Sequence, residues 1–192
     1  MNKKSTIMKQ LIDICKEFNL TSQELSNYVD ELYERPENDL QTIHFKLYDT
    51  VEITLDDGEH IRAVVIDIND KEHKVTFVLE NCFKDTSTMC DIDEFLASKY
   101  SMLPWSLMQI IEKHSFRLLT KDEVFGDNRY SYFYNIPNRK CRLGRKMFTW
   151  WLADASGDKR TTFYNVREDG SLGSWSAKIK FGVRPIFTII QK

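Results

Sequence analysis

The first apolar pattern along the chain has the spacing of a helix. Between residues 5 and 34, apolar side chains recur three and four positions apart in two runs: Ile7, Leu11, Ile14, Cys15 and Phe18, then Leu25, Tyr28, Val29 and Leu32. Thr21 and Glu24 form the two ends of a capping box, which marks the start of the second helix. Residues 1–38 are therefore predicted to be a helical hairpin that ends in an acidic, proline-containing linker.

The charge of this predicted hairpin limits its use. Residues 17–29 faintly resemble the first half of a DNA-binding helix-turn-helix, but the acidic linker stands where a recognition helix would follow. Residues 1–35 carry five basic and six acidic side chains, a balance that disfavours contact with phosphates. The favoured hypothesis is that the hairpin serves docking or homodimerisation.

From about residue 45 the apolar period changes from helical to alternating. Val51–Leu55, Ile61–Ile68 and Lys74–Leu79 have the composition of strands, and turn-forming residues 56–58 and 69–72 separate them. The pattern predicts a three-stranded antiparallel meander. Val64, Val65 and Ile66 are consecutive in the middle run, which is typical of a strand covered on both faces.

The rest of the chain predicts short elements joined by long loops. Helices are expected from Ile92 to Tyr100 and from Pro104 to Lys113, the second with proline in its first turn. Strands are expected at residues 116–119, 150–153, 161–166, 174–179 and 185–190. The predicted fold class is α+β, with residues 44–192 forming one domain after the helical extension. A length of 192 residues with 42% hydrophobic composition suits this division.

Three residues of the C-terminal half are candidates for structure or binding. Trp150 and Trp151 are adjacent in a strand and should point to opposite faces. A structural role for both is the favoured interpretation, and the alternative is that one lies in the core while the other lines a groove. Arg184 is expected to pair with a carboxylate or with backbone carbonyls, because an unpaired buried charge is costly. Asp154 is the candidate carboxylate, and ligand binding by Arg184 is the alternative.

Several blocks of the chain resemble a family of uncharacterised domains from Firmicutes-type bacteria and their phages. Members of that family end in segments of the type WWLRSPG, VNSDGS and GVRP, followed by an apolar strand. The matching residues here are Trp150, Trp151 and Leu152; Asn165, Asp169, Gly170 and Ser171; and Gly182, Val183, Arg184 and Pro185. With weaker matches upstream, the likeness covers residues 44–191.

The resemblance implies more about fold than about activity. The WWLRS and GVRP blocks look like parts of C-type-lectin-like and formylglycine-generating-enzyme-like folds, which implies a loop-rich, C-type-lectin-like C-terminal half. Ala153 and Asp154 stand where the family usually has Arg-Ser, so a site that uses that arginine is altered here. Because one fold supports many functions, the likeness does not define an activity.

The net charge of −2 hides an asymmetry along the chain. Residues 1–100 hold 11 basic and 21 acidic side chains, whereas residues 101–192 hold 16 basic and 8 acidic ones. The densest basic segment, residues 139–146, lies between aromatic runs. A solvated loop is the favoured interpretation of this segment, and binding of phosphates or of an acidic protein surface is the alternative. The candidate binding residues are Arg139, Lys140, Arg142, Arg145 and Lys146, together with Trp150, Trp151 and Arg184.

Motifs for metal binding and catalysis are absent from the sequence. Cys15, Cys82, Cys90 and Cys141 form no C-x-x-C pair and have no zinc spacing with the histidines, so they are expected to be free, mostly buried thiols. Residues 169–171 predict a hairpin turn. Calcium at residues 165–169 is disfavoured because the usual lectin motifs are missing. No phosphate-binding glycine loop, H-E-x-x-H or G-x-S-x-G occurs, and no catalytic residue, cofactor or metal is predicted.

Three functional hypotheses follow. The first is a non-enzymatic protein that recognises a protein or ligand, with a protein as the favoured partner. The second is a phage or mobile-element inhibitor of a host nucleic-acid enzyme such as a CRISPR effector, with nucleic acid contacted through residues 139–146. The third is an enzyme related to formylglycine generation. No membrane span or secretion signal is expected, which predicts a cytoplasmic protein of a bacterium or of a phage-infected cell.

Overall fold

The computed structural model describes residues 44–157 and 160–191, all of them in the second of the two units into which the chain divides, residues 40–192. The predicted helical hairpin of residues 1–38 lies outside the described residues. In chain order the elements are β1 (Thr50–Thr54), β2 (His60–Asn69), β3 (Lys74–Leu79), β4 (Thr86–Ser87), α1 (Ile92–Tyr100), α2 (Trp105–Met108), β5 (Arg117–Leu118), α3 (Lys121–Phe125), a 3₁₀ helix (Ser131–Tyr134), α4 (Ile136–Arg139), β6 (Arg142–Leu143), β7 (Lys146–Met147), β8 (Trp150–Ala155), β9 (Thr162–Val166), β10 (Leu172–Ser176), β11 (Phe181–Gly182) and β12 (Pro185–Ile190). The α+β class is confirmed.

The predicted meander forms one side of a five-stranded sheet. Strands β1, β2 and β3 pair antiparallel in sequence order. Gly58 makes the first turn with a φ of 80°, a conformation that a glycine adopts without steric cost. The last strand, β12, then pairs antiparallel with β3, and β5 pairs with β12, so the order is β1-β2-β3-β12-β5. The C-terminal strand therefore closes onto a sheet that begins about 130 residues earlier in the chain.

A second five-stranded sheet contains the tryptophan pair. Its order is β10-β9-β8-β11-β4, in which β8, β9 and β10 pair antiparallel and β11 runs parallel to β8. Residues 169–171 make the predicted turn between β9 and β10, with the amide of Ser171 donating to the Asp169 carboxylate at 2.9 Å. A separate two-stranded hairpin consists of β6 and β7.

The two faces of β2 point into two different apolar clusters. Ala63 and Val65 of β2 belong to the first cluster, and Val64 and Ile66 belong to the second. The prediction that this strand is covered on both faces is therefore confirmed. Phe77 and Phe187 stack in the first cluster with ring centroids 5.2 Å apart, a separation in the favourable range for aromatic pairs.

The second predicted helix is much shorter than the sequence suggests. Residues 104–113 were expected to be helical, yet α2 ends at Met108. The chain beyond it bonds to β12 instead, because Glu112 N–H donates to the Thr188 carbonyl at 2.7 Å and Ile190 N–H donates to the Ile110 carbonyl at 2.8 Å. A long-range backbone pairing thus replaces the local helical one.

Helix α1 is held to the meander by a buried lysine and the carboxylates around it. The ammonium of Lys99 lies 2.8 Å from Glu59 and 3.0 Å from Asp85, and the Lys99 side chain is only 4% exposed. It also lies 5.2 Å from the centre of the Phe83 ring. Burial alone would lower the pKa of Lys99, but the hydrogen bonds to Glu59 and Asp85 outweigh it and raise that pKa, so the cation remains charged.

We expect Lys99→Met to destabilise the fold by about 3 kcal/mol. Methionine retains the apolar stem but leaves the Glu59 carboxylate, 7% exposed, without its cation. Chemical denaturation measures the free energy of unfolding, and Lys113→Met, at an exposed position, is the matched control. Equal stabilities of the two variants would show that the ion pairs of Lys99 contribute nothing.

Candidate binding surface

Arg184 is a fully buried cation held by backbone carbonyls and aromatic rings. Its Nε donates to the carbonyl of Leu79 at 2.6 Å and one terminal nitrogen donates to the carbonyl of Asn138 at 2.8 Å. The guanidinium carbon lies 5.2 Å from the Trp150 ring and 5.5 Å from the Phe133 ring. Burial lowers the pKa of Arg184, which the phenol of Tyr132 partly offsets.

The predicted alternative partner of Arg184, Asp154, is engaged elsewhere. Its carboxylate accepts a hydrogen bond from the backbone N–H of Lys121, at the start of α3. Of the two kinds of partner expected for Arg184, the structure therefore contains the carbonyls and not this carboxylate. The GVRP arginine links three separate segments, because Leu79 ends β3 and Asn138 lies in α4.

The two tryptophans point to opposite faces, as predicted, and both are fully buried. Trp151 lies in the first apolar cluster and donates to the Ser87 carbonyl at 3.0 Å. Trp150 lies in the second cluster and donates to the Arg139 carbonyl at 2.8 Å. Their burial agrees with the favoured interpretation, a structural role for both indoles, and not with the alternative that one lines an open groove, because neither side chain has exposed area.

Arg184 and Trp150 share a role, because each donates a hydrogen bond to one of two consecutive backbone carbonyls. Arg184 holds the carbonyl of Asn138, and Trp150 holds the carbonyl of Arg139, the next residue. Buried polar groups of the backbone need such partners, since an unsatisfied carbonyl costs about 1–3 kcal/mol. The backbone of Arg139, the first residue of the candidate basic segment, is therefore held in place by the buried side chain of Trp150.

We expect Arg184→Lys to lower the free energy of unfolding by about 2 kcal/mol, because a lysine retains the charge but lacks the planar fork that bonds two carbonyls. Hydrogen exchange should also speed up for amides of residues 138–142. Denaturant unfolding and exchange mass spectrometry make the two measurements. Arg62→Lys, at a half-exposed arginine of β2, is the control, and an Arg184→Lys variant as stable as this control would contradict the assignment.

The basic segment continues into a short exposed hairpin, residues 142–147, which we name the basic hairpin. Arg142 pairs with Met147 and Leu143 pairs with Lys146 around a two-residue turn. Gly144 occupies the first turn position with a φ of 60°, as a hairpin of this length favours. Arg142, Arg145 and Lys146 are exposed, and no carboxylate of the described residues lies within 4.0 Å of their cationic groups.

The base of the basic hairpin is fastened to the end of β3. Cys82 N–H donates to the Arg142 carbonyl at 3.1 Å, and Arg142 N–H donates to the Asn81 side chain at 3.2 Å. A disulfide joins Cys82 to Cys141, the residue before the hairpin. The expectation of free thiols is therefore wrong for these two cysteines. Cys90 is free, as expected, but exposed, and Cys15 lies outside the described residues. The pairing joins positions 59 residues apart, and no spacing rule predicts it.

We expect the Cys15→Ser, Cys90→Ser double variant to expose no reactive thiol when it is denatured without reductant, because Cys82 and Cys141 are then the only cysteines in the chain. After reduction, two thiols should react with a colorimetric thiol reagent. Two reactive thiols before reduction would instead mean that the two cysteines are unlinked.

Arg139 belongs to a second group of basic side chains together with Arg129, which was not among the predicted binding residues. Arg129 covers the Tyr134 ring, with its guanidinium carbon 4.2 Å from the ring centre. Arg139 donates from Nε to the Phe133 carbonyl at 2.7 Å and lies 5.0 Å from the centre of the Phe125 ring. The sequence feature that could have indicated Arg129 is the aromatic run at residues 130–134, which directly follows it. Lys140, between this group and the hairpin, is half-buried.

Asn165, which matches the resemblance, is fully buried, and its side-chain amide has no hydrogen-bond partner among the described residues. Its chain neighbours Glu168 and Asp169 are exposed near the turn. Within residues 44–157 and 160–191, no group of three His, Cys, Asp or Glu side chains is placed to hold a metal ion.

An open depression of about 340 Å³ lies away from the predicted site residues. It lies between β4 and α1, and its lining includes Ser87, Asp91, Glu94, Phe95 and Lys180. Acidic and basic groups both border it, so its charge differs from that of the basic segment. None of the eight predicted binding residues lines it.

The chain belongs to the DUF6273 family, a domain of unknown function, whose model matches residues 94–191. The match runs from α1 to β12 and includes all eight predicted binding residues. It begins after β1, β2 and β3, later than the start at residue 44 that the resemblance suggested. No curated protein matches the chain. No helix within the described ranges combines the length and hydropathy that a membrane span needs.

Proposed function

We propose that the chain is a non-enzymatic recognition protein that binds an acidic surface of a partner protein through the basic hairpin. The observation that carries the proposal is the set of three exposed cations at Arg142, Arg145 and Lys146, on a backbone fastened at its base and without a carboxylate among the described residues. Because the hairpin backbone is already ordered, binding loses less conformational entropy than it would for a free loop.

The surroundings of the cations favour a protein partner over nucleic acid. Met147 in the hairpin is 37% exposed, and Tyr134 and Ile136 nearby in sequence are 59% and 54% exposed. Arginine, methionine and tyrosine are the residue types enriched in protein interfaces. Residues 44–100 hold 13 acidic and 6 basic side chains, a net charge of −7, which would repel a polyanion that extends over this part of the chain.

The proposal includes a C-type-lectin-like fold for the C-terminal half, which would serve as the scaffold of the binding surface. Loops on a rigid framework are the usual location of recognition surfaces, and residues 126–149 connect α3 to β8 through short elements only. A phage or mobile-element inhibitor of a host nucleic-acid enzyme is one biological form that such a recognition protein takes. Cytoplasmic location and dimerisation through residues 1–38 stay predictions.

The triple change of Arg142, Arg145 and Lys146 to Glu should reduce partner capture at least about tenfold, because it replaces attraction to an acidic surface by repulsion. The full-length chain and the variant are immobilised, exposed to lysate of the native cells with and without nuclease, and compared by quantitative mass spectrometry. Capture by the unaltered chain should fall as salt rises from about 0.1 M to about 1 M, because the Debye length shrinks from about 10 Å to about 3 Å.

The matched control changes Lys71, Lys113 and Lys178 to Glu, three exposed lysines that alter the net charge by the same amount. A nuclease-resistant protein retained by this control and lost by the hairpin variant supports the proposal. Equal loss from both triple variants would show a general charge effect and overturn it. Loss of all captured material on nuclease treatment would assign the hairpin to nucleic acid instead.

A further inference from the structure

Arg129 and Arg139 are held on two consecutive residues of the 3₁₀ helix. Arg139 is fixed by its Nε–H bond to the Phe133 carbonyl, at 2.7 Å. Arg129 covers the ring of Tyr134, with 4.2 Å between its guanidinium carbon and the ring centre. These contacts place the two guanidinium groups against consecutive residues, one on the Phe133 carbonyl and the other on the Tyr134 ring, and both side chains are half-buried. Displacement of either guanidinium would break a stacking or hydrogen-bonding contact.

The described residues supply no anion for this pair. No carboxylate among them lies within 4.0 Å of either guanidinium. The Nε of Arg129 is buried and has no hydrogen-bond acceptor, although a buried donor is nearly always satisfied in a native protein. Burial lowers the pKa of Arg139, and the positive charge of Arg129 lowers it further, which is the expected result for two cations held together without a counterion.

We propose that Arg129 and Arg139 form a subsite for a phosphate monoester. Two guanidinium groups carry two positive charges, and a phosphate monoester near neutral pH carries about two negative charges and three acceptor oxygens. A single carboxylate or a phosphodiester supplies only one negative charge. The terminal nitrogens of Arg129 and Arg139 are donors of the type that bind phosphate oxygens in pairs. The exposed ring of Tyr134, one face of which Arg129 covers, borders the subsite.

This inference deepens the proposed function and rests on it for its biological use, since the subsite adjoins the segment that leads to the basic hairpin. The phosphate-bearing group would then be part of, or accompany, the acidic partner. A phosphorylated side chain and a free nucleotide present the same chemistry, so the experiment includes one probe of each kind.

The test follows the arginine Nε–Hε resonances of the ¹⁵N-labelled full-length chain during titration with O-phosphoserine, AMP and acetate. The Arg129 and Arg139 resonances should shift with both phosphate monoesters and should require at least about tenfold more acetate for half-maximal shift, because charge-assisted bidentate bonds and charge matching both favour the dianion. The tighter of the two phosphate probes identifies the source of the monoester, and either order supports the subsite.

Arg129→Gln should weaken binding of both phosphate probes at least about tenfold and remove the shift of the Arg139 resonance. Arg160→Gln, at an exposed arginine outside the cluster, is the matched control and should bind as the unaltered chain does. Thermal unfolding of each variant verifies that it is folded, and Arg139→Lys, which retains one charge but not the fork, provides a second variant with an expected intermediate loss.

The inference is overturned if acetate binds as well as the phosphate probes, if the two resonances do not respond, or if Arg129→Gln binds them normally. These outcomes are separate from failure of the proposed function. Partner capture that depends on Arg142, Arg145 and Lys146 in a protein without a phosphate response would retain the hairpin interface and reject the subsite. Phosphate binding without hairpin-dependent capture would do the reverse.

Discussion

The arrangement of the candidate surface depends on one buried cation without a carboxylate partner. Arg184 bonds the end of β3 and the carbonyl of Asn138 in α4, while its guanidinium lies between the rings of Phe133 and Trp150. A guanidinium is suited to this position because its donors lie in a plane and it is less strongly hydrated than an ammonium. Together with Trp150 and the contacts of Arg142, this side chain thus holds the long connection between α3 and β8 in place.

Trp150, Trp151 and Arg184 consequently belong to the scaffold and not to a contact surface. None of the three has exposed area, and each donates a hydrogen bond to a backbone carbonyl of another element or connecting segment. The side chains that remain available to a partner include those of the basic hairpin, which are exposed. Because the buried residues support the fold and the exposed ones supply the contacts, the scaffold by itself does not define a partner.

Local patterns predicted the longer strands and helix α1, but they did not predict β4, α3, α4, β6, β7 and β11 or the contacts between distant segments. Alternation identified β1 to β3, and the consecutive Val64 and Val65 identified a strand buried on both faces. The short α2 was not predictable from its own residues, since the segment that follows Met108 pairs with β12. The Cys82–Cys141 link and the burial of both indoles likewise depend on contacts between distant segments. For the site, the sequence located the basic run but not Arg129, whose association with Arg139 arises only when the 3₁₀ helix forms.

The cations of the described residues divide into two groups, and the division separates structural from recognition roles. Lys99 and Arg117 have carboxylate partners within the chain, and Arg184 has carbonyls and rings. Exposed lysines such as Lys113 also have no carboxylate partner among the residues that the structure describes, so an absent partner does not by itself indicate recognition. The basic hairpin and the Arg129–Arg139 pair differ from such lysines. Specific contacts hold the backbone of the hairpin and the side chains of the two arginines in place, while no carboxylate of the described residues compensates their charges. Folding alone gains nothing from holding like charges together. Cations that are held in place without a counterion therefore favour an external anion as their partner.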